Sequence, residues 1–217
     1  MIEAILFDLD GVLVNTDQLH YQAWKELADR LAIPFTREQG NRCRGISRMD
    51  SLEIVLEGAD TPYTQEEKEA FAREKNTRYQ QLLSSLTPDD VLPGAHSVLP
   101  ELRRRGYRLA LASASKNAGL ILERTGLGRW LDAVADGNLI SRSKPDPEVF
   151  LTAAGLLGVS PDRCAAVDDA LAGVQAGRAA GMVTVAYGEA ALHGVGDHNI
   201  QSLEQLLPLF PSREGCV

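Results

Sequence analysis

Phe7-Asp8-Leu9-Asp10-Gly11-Val12 is the stretch that decides how this chain reads. Ahead of it runs Ile2-Glu3-Ala4-Ile5-Leu6-Phe7, a short and largely apolar run rich in strand formers. That run predicts a buried parallel strand. Two carboxylates then stand two residues apart, and a glycine comes next. Buried carboxylates side by side repel and lose hydration, which costs several kcal/mol unless a cation joins them. A hard divalent cation such as Mg2+ suits carboxylate and carbonyl oxygens. The strand end therefore predicts half of a metal site; the bland alternative is two solvated aspartates.

The next strand-like run, Tyr107-Arg108-Leu109-Ala110-Leu111-Ala112, lies far along the chain. A simple crossover needs a few tens of residues at most, so something is inserted between the two. The inserted sequence reads as helical. Tyr21, Trp24, Leu27, Ala28 and Leu31 share one helix face, and Phe71, Tyr79, Leu82, Leu83 and Leu86 share another. Thr36-x-x-Gln39 and Thr64-x-x-Glu67 fit capping boxes that open helices. Pro88 and Pro93-Gly94 mark the return. The expected organisation is an α/β core of residues 1–15 and 89–217, with a helical cap of residues 16–88.

From Pro93 onward, strands and helices alternate. A helix carrying Val98, Leu99 and Leu102 ends at Gly106, and another surrounds Leu120, Ile121 and Leu122. Ala133-Val134-Ala135 reads as a short strand. Phe150, Ala153, Ala154 and Leu157 line a helix that stops at Gly158. Cys164-Ala165-Ala166-Val167 is a strand ending in Asp168-Asp169. Leu171, Val174 and Ala180 lie on a helix that stops at Gly181, and Val183-Thr184-Val185 is the last clear strand. Leu203 to Phe210 reads as a final helix, with a frayed tail after Pro211. This alternation predicts a Rossmann-like parallel sheet covered on both faces.

Ligands on open α/β sheets bind beyond the carboxyl ends of the strands. The residues just past the strand ends are Asp8 and Asp10, then Ser113-Ala114-Ser115-Lys116-Asn117, then Lys144-Pro145, then Asp168-Asp169. Backbone N–H groups at a helix start bind phosphate oxygens, and Lys144 can neutralise both phosphate and carboxylates. Together they form a set suited to Mg2+-assisted phosphoryl transfer. Singly, each has a plainer reading as a cap, a turn or a helix N-terminus.

Composition narrows the partners. Hydrophobic residues make up 44% and charged residues 24% of 217, ordinary for a soluble globular protein. Twenty-two basic side chains against 30 acidic ones leave a net charge of −8, which disfavours nucleic acid and anionic membranes. Cys43, Cys164 and Cys216 are odd in number and lack metal-ligand spacing, which points to a reduced, cytoplasmic setting. No secretory leader or spanning segment is evident, and the chain is expected to act as a monomer.

Asp8-Leu9-Asp10-Gly11-Val12, the serine-ended second strand, the Lys144-Pro145 loop and the acidic pair resemble the four motifs of the haloacid dehalogenase superfamily, over essentially the whole chain. His20-x3-Trp24, the Arg44 to Leu52 stretch, Arg73-x-Lys75-Asn76 and Ser113 to Asn117 resemble its β-phosphoglucomutase branch. The resemblance implies that Asp8 is the nucleophile and becomes an aspartyl phosphate, and that Asp10 is the general acid/base. It implies one Mg2+ held by Asp8, the carbonyl of Asp10 and Asp169, with Asp168 close by. Ser113 or Ala114 and Lys144 would hold the transferring phosphoryl group. Arg48, with Ser115, Lys116 and Asn117, would bind the second phosphate. His20, Arg44, Gly45, Ser47, Ser51 and Lys75 would belong to the cap that covers the sugar, and Trp24 suits either the cap core or the substrate wall. Where the chain leaves and re-enters the core, hinges are expected near Asn15-Thr16-Asp17, with Thr16 the nearest to Asp10, and near Leu92-Pro93-Gly94.

Two departures stand out: the branch commonly has Glu where this chain has Asp168, and often Lys where it has Arg44. A guanidinium does not substitute freely for an ammonium. The implied activity is interconversion of β-glucose 1-phosphate and glucose 6-phosphate through β-glucose 1,6-bisphosphate. A sugar-phosphate phosphatase passes through the same phospho-Asp8, so only the cap motifs favour the mutase. A phospho-binding regulator would not need Asp10.

Overall fold

The computed structural model describes residues 1–213 of the chain. Its centre is strand β1, Ala4–Phe7, every residue of which is buried. Five further strands, β2 (Arg108–Ala112), β3 (Ala133–Ala135), β4 (Cys164–Asp168), β5 (Val183–Tyr187) and β6 (His198–Ile200), complete a sheet of order β3-β2-β1-β4-β5-β6. All pairings are parallel, and Ala4 aligns with both Arg108 and Cys164. The chain builds outward from β1 in one direction, then crosses to β4 on its other side. That reversal opens a crevice at the carboxyl ends of β1 and β4.

Ten helices complete the described residues: α1 (Asp17–Arg30), α2 (Arg37–Arg42), α3 (Arg48–Leu56), α4 (Gln65–Leu83), α5 (Ala95–Arg104), α6 (Ala118–Thr125), α7 (Glu148–Leu157), α8 (Leu171–Ala179), α9 (Gly188–Leu192) and α10 (Leu206–Leu209). The first four lie between β1 and β2. They bury a cluster of their own around Trp24, Leu27, Ala28, Leu52 and Val55. Both predicted capping boxes are present, at Thr36/Gln39 and Thr64/Glu67. Each cap contributes about 1 kcal/mol to its helix.

Period-two alternation splits the strands between two cores. Ile5, Phe7, Leu109, Leu111, Ala165 and Val167 face α5, α6 and the C-terminal segment. Ala4, Leu6, Ala110, Ala112, Cys164 and Ala166 face the other way, towards α7 and α8. The second face is alanine-rich, which lets α7 lie close against the sheet.

Two connections join the helical segment to the sheet, and they run side by side. Leu92 N–H donates to Leu13 O at 2.9 Å, and Asn15 N–H donates to Asp90 O at 3.2 Å. Thr16, fully buried, sits at the entry to α1 without capping it.

The structure corrects three sequence expectations. β6 extends the sheet beyond Val183-Thr184-Val185; it is a short edge strand with His198 and Asn199 exposed, so it carries no apolar alternation. Leu203 to Phe210 is a 3-10 turn, Leu203–Gln205, leading into α10, because Pro208 cannot extend a longer helix. The Arg44 to Ser51 stretch, which carried no secondary-structure reading of its own, runs into helix α3, capped by Ser47. Pro211 to Arg213 is docked rather than frayed: Tyr107 Oη donates to Pro211 O, and Arg213 bonds Arg105 O, Gly106 O and the Glu3 carboxylate. The tail beyond Arg213, with Cys216, lies outside the described residues.

Candidate active site

Asp8, Asp168 and Asp169 converge at the crevice. Each offers an oxygen within 4.8 Å of the others, and all three are buried. Two glycines make room for this. Gly11 has φ +88°, and a Cβ there would lie 2.3 Å from an Asp169 oxygen; a Cβ on Gly173 would lie 1.9 Å from Asp168. Gly173 is required by the close approach alone, and Gly11 by both the approach and its left-handed backbone.

Lys144, 2% exposed, is the buried cation of the cluster. Its Nζ donates to Asp8 and, at 2.8 Å, to Asp168. The loop that carries it runs directly into α7, and Phe150 of α7 lies under Nζ, 5.1 Å from ring centroid to nitrogen. The opposing carboxylates raise the Lys144 pKa despite its burial. Burial pushes Asp8 up to about 7, with Asp168 and Asp10 adding to the rise and Lys144 opposing it. Burial and Asp168 push Asp169 up to about 8, with Arg44 opposing. Three crowded carboxylates with too little positive charge fit a hard divalent cation, and Asp8, Asp168 and Asp169 are the side chains that would hold it. The Asp10 carboxylate is not part of this group.

Asp10 instead accepts a hydrogen bond from the Thr16 hydroxyl. Burial raises its pKa to about 6. His20 Nε2 lies 3.8 Å from it, and His20 Nδ1 is 3.0 Å from Lys75 Nζ. An ammonium only donates, so Nδ1 accepts and Nε2–H faces Asp10. Burial, then Lys75 and Arg48, hold the His20 pKa well below its usual value. Lys75 is buried over the rings of Trp24 and Tyr79, at 4.6 and 4.5 Å. Burial and Arg48 lower its pKa to about 7.

A cavity of about 550 Å3 opens above Asp8 and Asp10. Its lining brings together His20, Trp24, Arg44, Gly45, Ser47, Arg48, Ser51, Lys75 and the whole Ser113 to Asn117 segment. Lys144, Asp168 and Asp169 lie behind Asp8, and Thr16 lies behind Asp10; none of the four lines the cavity. Arg48 opens α3, half-buried, and burial lowers its pKa. No ion pair to it is found among the described residues.

Four predicted site residues have other partners in this structure. Arg44 reaches Asp169, Asp17 at 2.9 Å and Glu189 at 2.8 Å. Asn117 accepts from Gln80 at 3.0 Å and donates to Asn76 at 2.9 Å, both on α4. Ser47 caps α3, and Ser51 donates to the Ser47 and Cys43 carbonyls. Sequence reading missed Glu189 and Tyr79, and named Asp17 only for the hinge. Asp17 adjoins Thr16 directly; Glu189 and Tyr79 carry no motif signal.

These shifts fix a pH dependence. Between about pH 4 and 7 the native fold holds protons on Asp8, Asp10 and Asp169 that the unfolded chain has released. His20 opposes this, as do Lys75 near pH 7 and Glu101 near pH 4.5. Stability in a chelator should therefore fall as pH rises from about 4.5 to 7. Added Mg2+ should restore more stability at pH 7 than at pH 5, because it binds the ionised carboxylates. Melting temperatures across this range, with EDTA and with Mg2+, check the expectation; a flat or rising EDTA curve would show the carboxylates ionised without metal.

Comparison with known proteins defines the class. The haloacid dehalogenase-like hydrolases match residues 2–181, and the chain belongs to that family. It is 45% identical to a β-phosphoglucomutase of Bacillus subtilis over 190 residues, covering 87% of this chain and 84% of the relative. It superposes on the crystal structure of a β-phosphoglucomutase from Clostridium difficile with TM-score 0.90 and 38% identity, covering 95% and 94% of the two chains. A phosphorylated-carbohydrates phosphatase of Thermotoga maritima is 27% identical, covering 90% and 88%. No helix among the described residues is long and apolar enough to cross a membrane.

Proposed function

We propose that this protein is a phosphomutase that interconverts β-glucose 1-phosphate and glucose 6-phosphate through phospho-Asp8 and β-glucose 1,6-bisphosphate. The observation that carries this reading is one cavity with basic side chains placed at two separate points, which suits two anion sites. Asp8 stands at its floor with Lys144 bonded behind it, and Arg48, without an ion pair among the described residues, stands on its wall. A mutase must bind a sugar bisphosphate in two orientations, whereas a phosphatase needs one phosphate site.

In this reading residues 16–88 form a cap over the core of residues 1–15 and 89–217. Phospho-Asp8 presents its phosphoryl group to a sugar hydroxyl. The hydroxyl oxygen bonds to phosphorus, the bond from phosphorus to the Asp8 oxygen breaks, and Asp10 takes the hydroxyl proton. The bisphosphate rebinds with its phosphates exchanged. Asp8 then attacks the other phosphorus, and Asp10 returns the proton to the departing sugar oxygen. Lys144 neutralises charge on the transferring oxygens throughout. Asp8, Asp168 and Asp169 would hold the divalent cation that the family uses, taken here as Mg2+, which would supply further neutralisation when bound. Lys75 donates to His20, whose Nε2–H faces Asp10. The reading includes a monomer in the cytoplasm, where Cys43 and Cys164 remain thiols, their pKa values pushed up to about 11 by burial.

Incubation with Mg2+, β-glucose 1-phosphate and a trace of the bisphosphate tests the proposal. Glucose 6-phosphate is the expected product, and stoichiometric free phosphate would instead make the protein a phosphatase. Arg48→Ala should cut mutase turnover at least tenfold, the equivalent of about 1.5–3 kcal/mol for a charge-assisted bond. It should leave phosphorylation of Asp8 by acetyl phosphate within about twofold. Equal loss of both would show that Arg48 serves the core site or the fold.

A further inference from the structure

Arg44 stands on the turn between α2 and α3, and its guanidinium is committed to three carboxylates. Nη2 donates to Asp169 and lies 2.9 Å from Asp17; Nη1 donates to Glu189 at 2.8 Å. Asp17 opens α1, whereas Asp169 follows β4 and Glu189 lies on α9. Among the described residues, the other ion pair crossing between residues 16–88 and the rest is the His20–Asp10 contact. The backbone of the turn is seated at the same place. Gly45 takes φ +72°, and a Cβ there would lie 3.5 Å from the Ala170 Cβ; one on Gly11 would lie 3.0 Å from Arg44 Nη2. From the other side, Ala190 N–H donates to Asp169 O at 3.1 Å. So α9 holds the backbone of Asp169, and through Glu189 it also holds the arginine that grips the Asp169 side chain. The four residues close a ring around one member of the carboxylate cluster.

A carboxylate has two oxygens, and among the described residues Arg44 engages Asp169 through Oδ2 alone. The guanidinium therefore fixes the side chain without covering both acceptors. Groups that fix a metal ligand from outside strengthen the site's hold on its ion. Here that group comes from residues 16–88, so the seating of this segment bears on the ligand. The two Nη groups span Glu189 and Asp169 together, which the single nitrogen of a lysine does not do. We propose that Arg44, anchored by Glu189, is a positioning residue for Asp169, so that divalent-cation binding and the seating of residues 16–88 on the core strengthen each other. By linkage, whatever the seated segment adds to metal affinity, the metal adds to the seating. The proposal rests on Asp8, Asp168 and Asp169 as the cation site, and it holds whether the phosphoryl group passes to sugar or to water.

The test uses the full chain without substrate. Mg2+ affinity is measured by calorimetric titration of EDTA-stripped protein, and hydrogen exchange in α2 and α3 is followed with and without Mg2+. Wild type is compared with Arg44→Met, Arg44→Lys, Glu189→Gln and the Arg44→Met/Glu189→Gln double variant, each first shown to melt cooperatively in EDTA. Arg44→Met should weaken Mg2+ binding about tenfold or more. Charge alone predicts the reverse, because removing a cation beside a divalent ion strengthens binding. Glu189→Gln should weaken binding about two- to fivefold, since an exposed ion pair holds a side chain only loosely. It should add nothing in the Arg44→Met background. Arg44→Lys keeps the charge but gives up the Glu189 arm, and should match Glu189→Gln. Mg2+ should slow exchange in α2 and α3 of wild type and not of Arg44→Met. Unchanged or tighter Mg2+ binding in Arg44→Met would overturn the proposal and leave the cation site standing, as would wild-type affinity in Arg44→Lys. An undiminished Glu189→Gln loss in the double variant would mean that Glu189 acts as a distant charge, which also overturns it. A wild type that binds no Mg2+ would overturn the proposal and the cation site together.

Discussion

Asp8→Asn should abolish turnover, by about 10^4-fold or more, while the fold persists. The amide keeps the shape of the side chain and loses the oxygen that bonds to phosphorus. The stability outcome discriminates as sharply as the kinetics. Asp8 is one of three carboxylates crowded within 4.8 Å, and Lys144 keeps its bond to Asp168 when Asp8 is neutral. Removing one like charge should leave the melting temperature in EDTA at or above that of wild type. Mg2+ should stabilise the variant less, since one ligand is gone. Mass spectrometry after reaction with acetyl phosphate should find no phosphorylated aspartate. A phosphate trapped on another residue would mean that the nucleophile lies elsewhere.

Lys144→Met is expected to damage both activity and fold. Breaking a buried ion pair by removing one partner costs about 3–5 kcal/mol, a large share of a typical domain's 5–15. Here one ammonium serves two carboxylates, so Asp8 and Asp168 both lose it. Without the lysine the native Asp8 carboxyl holds its proton to still higher pH, while the unfolded chain has long released it. Stability then falls as pH rises. Urea unfolding at pH 5.5 and pH 8 should show the larger deficit at pH 8. An equal deficit at both would mean that Lys144 contributes packing rather than charge.

The sheet and the floor of the site were legible in the sequence because each depends on local signals. Apolar runs ending in Asp8, Ser113 and Asp168 announce strands together with the polar residues at their carboxyl ends, and a parallel sheet brings those ends together. The capping boxes at Thr36 and Thr64 were legible for the same reason. β6 was not, because an exposed edge strand buries only Ile200 and leaves no pattern. The partners of Arg44 and Asn117 were equally hidden. Asp169 and Glu189 lie far along the chain from Arg44, as Asn76 and Gln80 do from Asn117, and only the packing of the helical segment on the core brings them together. Tyr79 read as one more apolar position in a helical stripe, because the stripe records burial and says nothing of where a hydroxyl ends up.

The alanine face of the sheet has a bearing on which positions the protein can vary. Val149, Phe150, Ala153 and Ala154 of α7 pack against Ala4, Ala110, Ala112 and Ala135, and the loop holding Lys144 is the lead-in to that helix. The ammonium is thus aimed by a methyl-thick layer one shell away from any substrate. An added methylene at Ala110 or Ala153 would lever α7 outward and carry the lysine with it. In a catalogue of substitutions, these small residues would score as active-site positions although none of them meets the cavity.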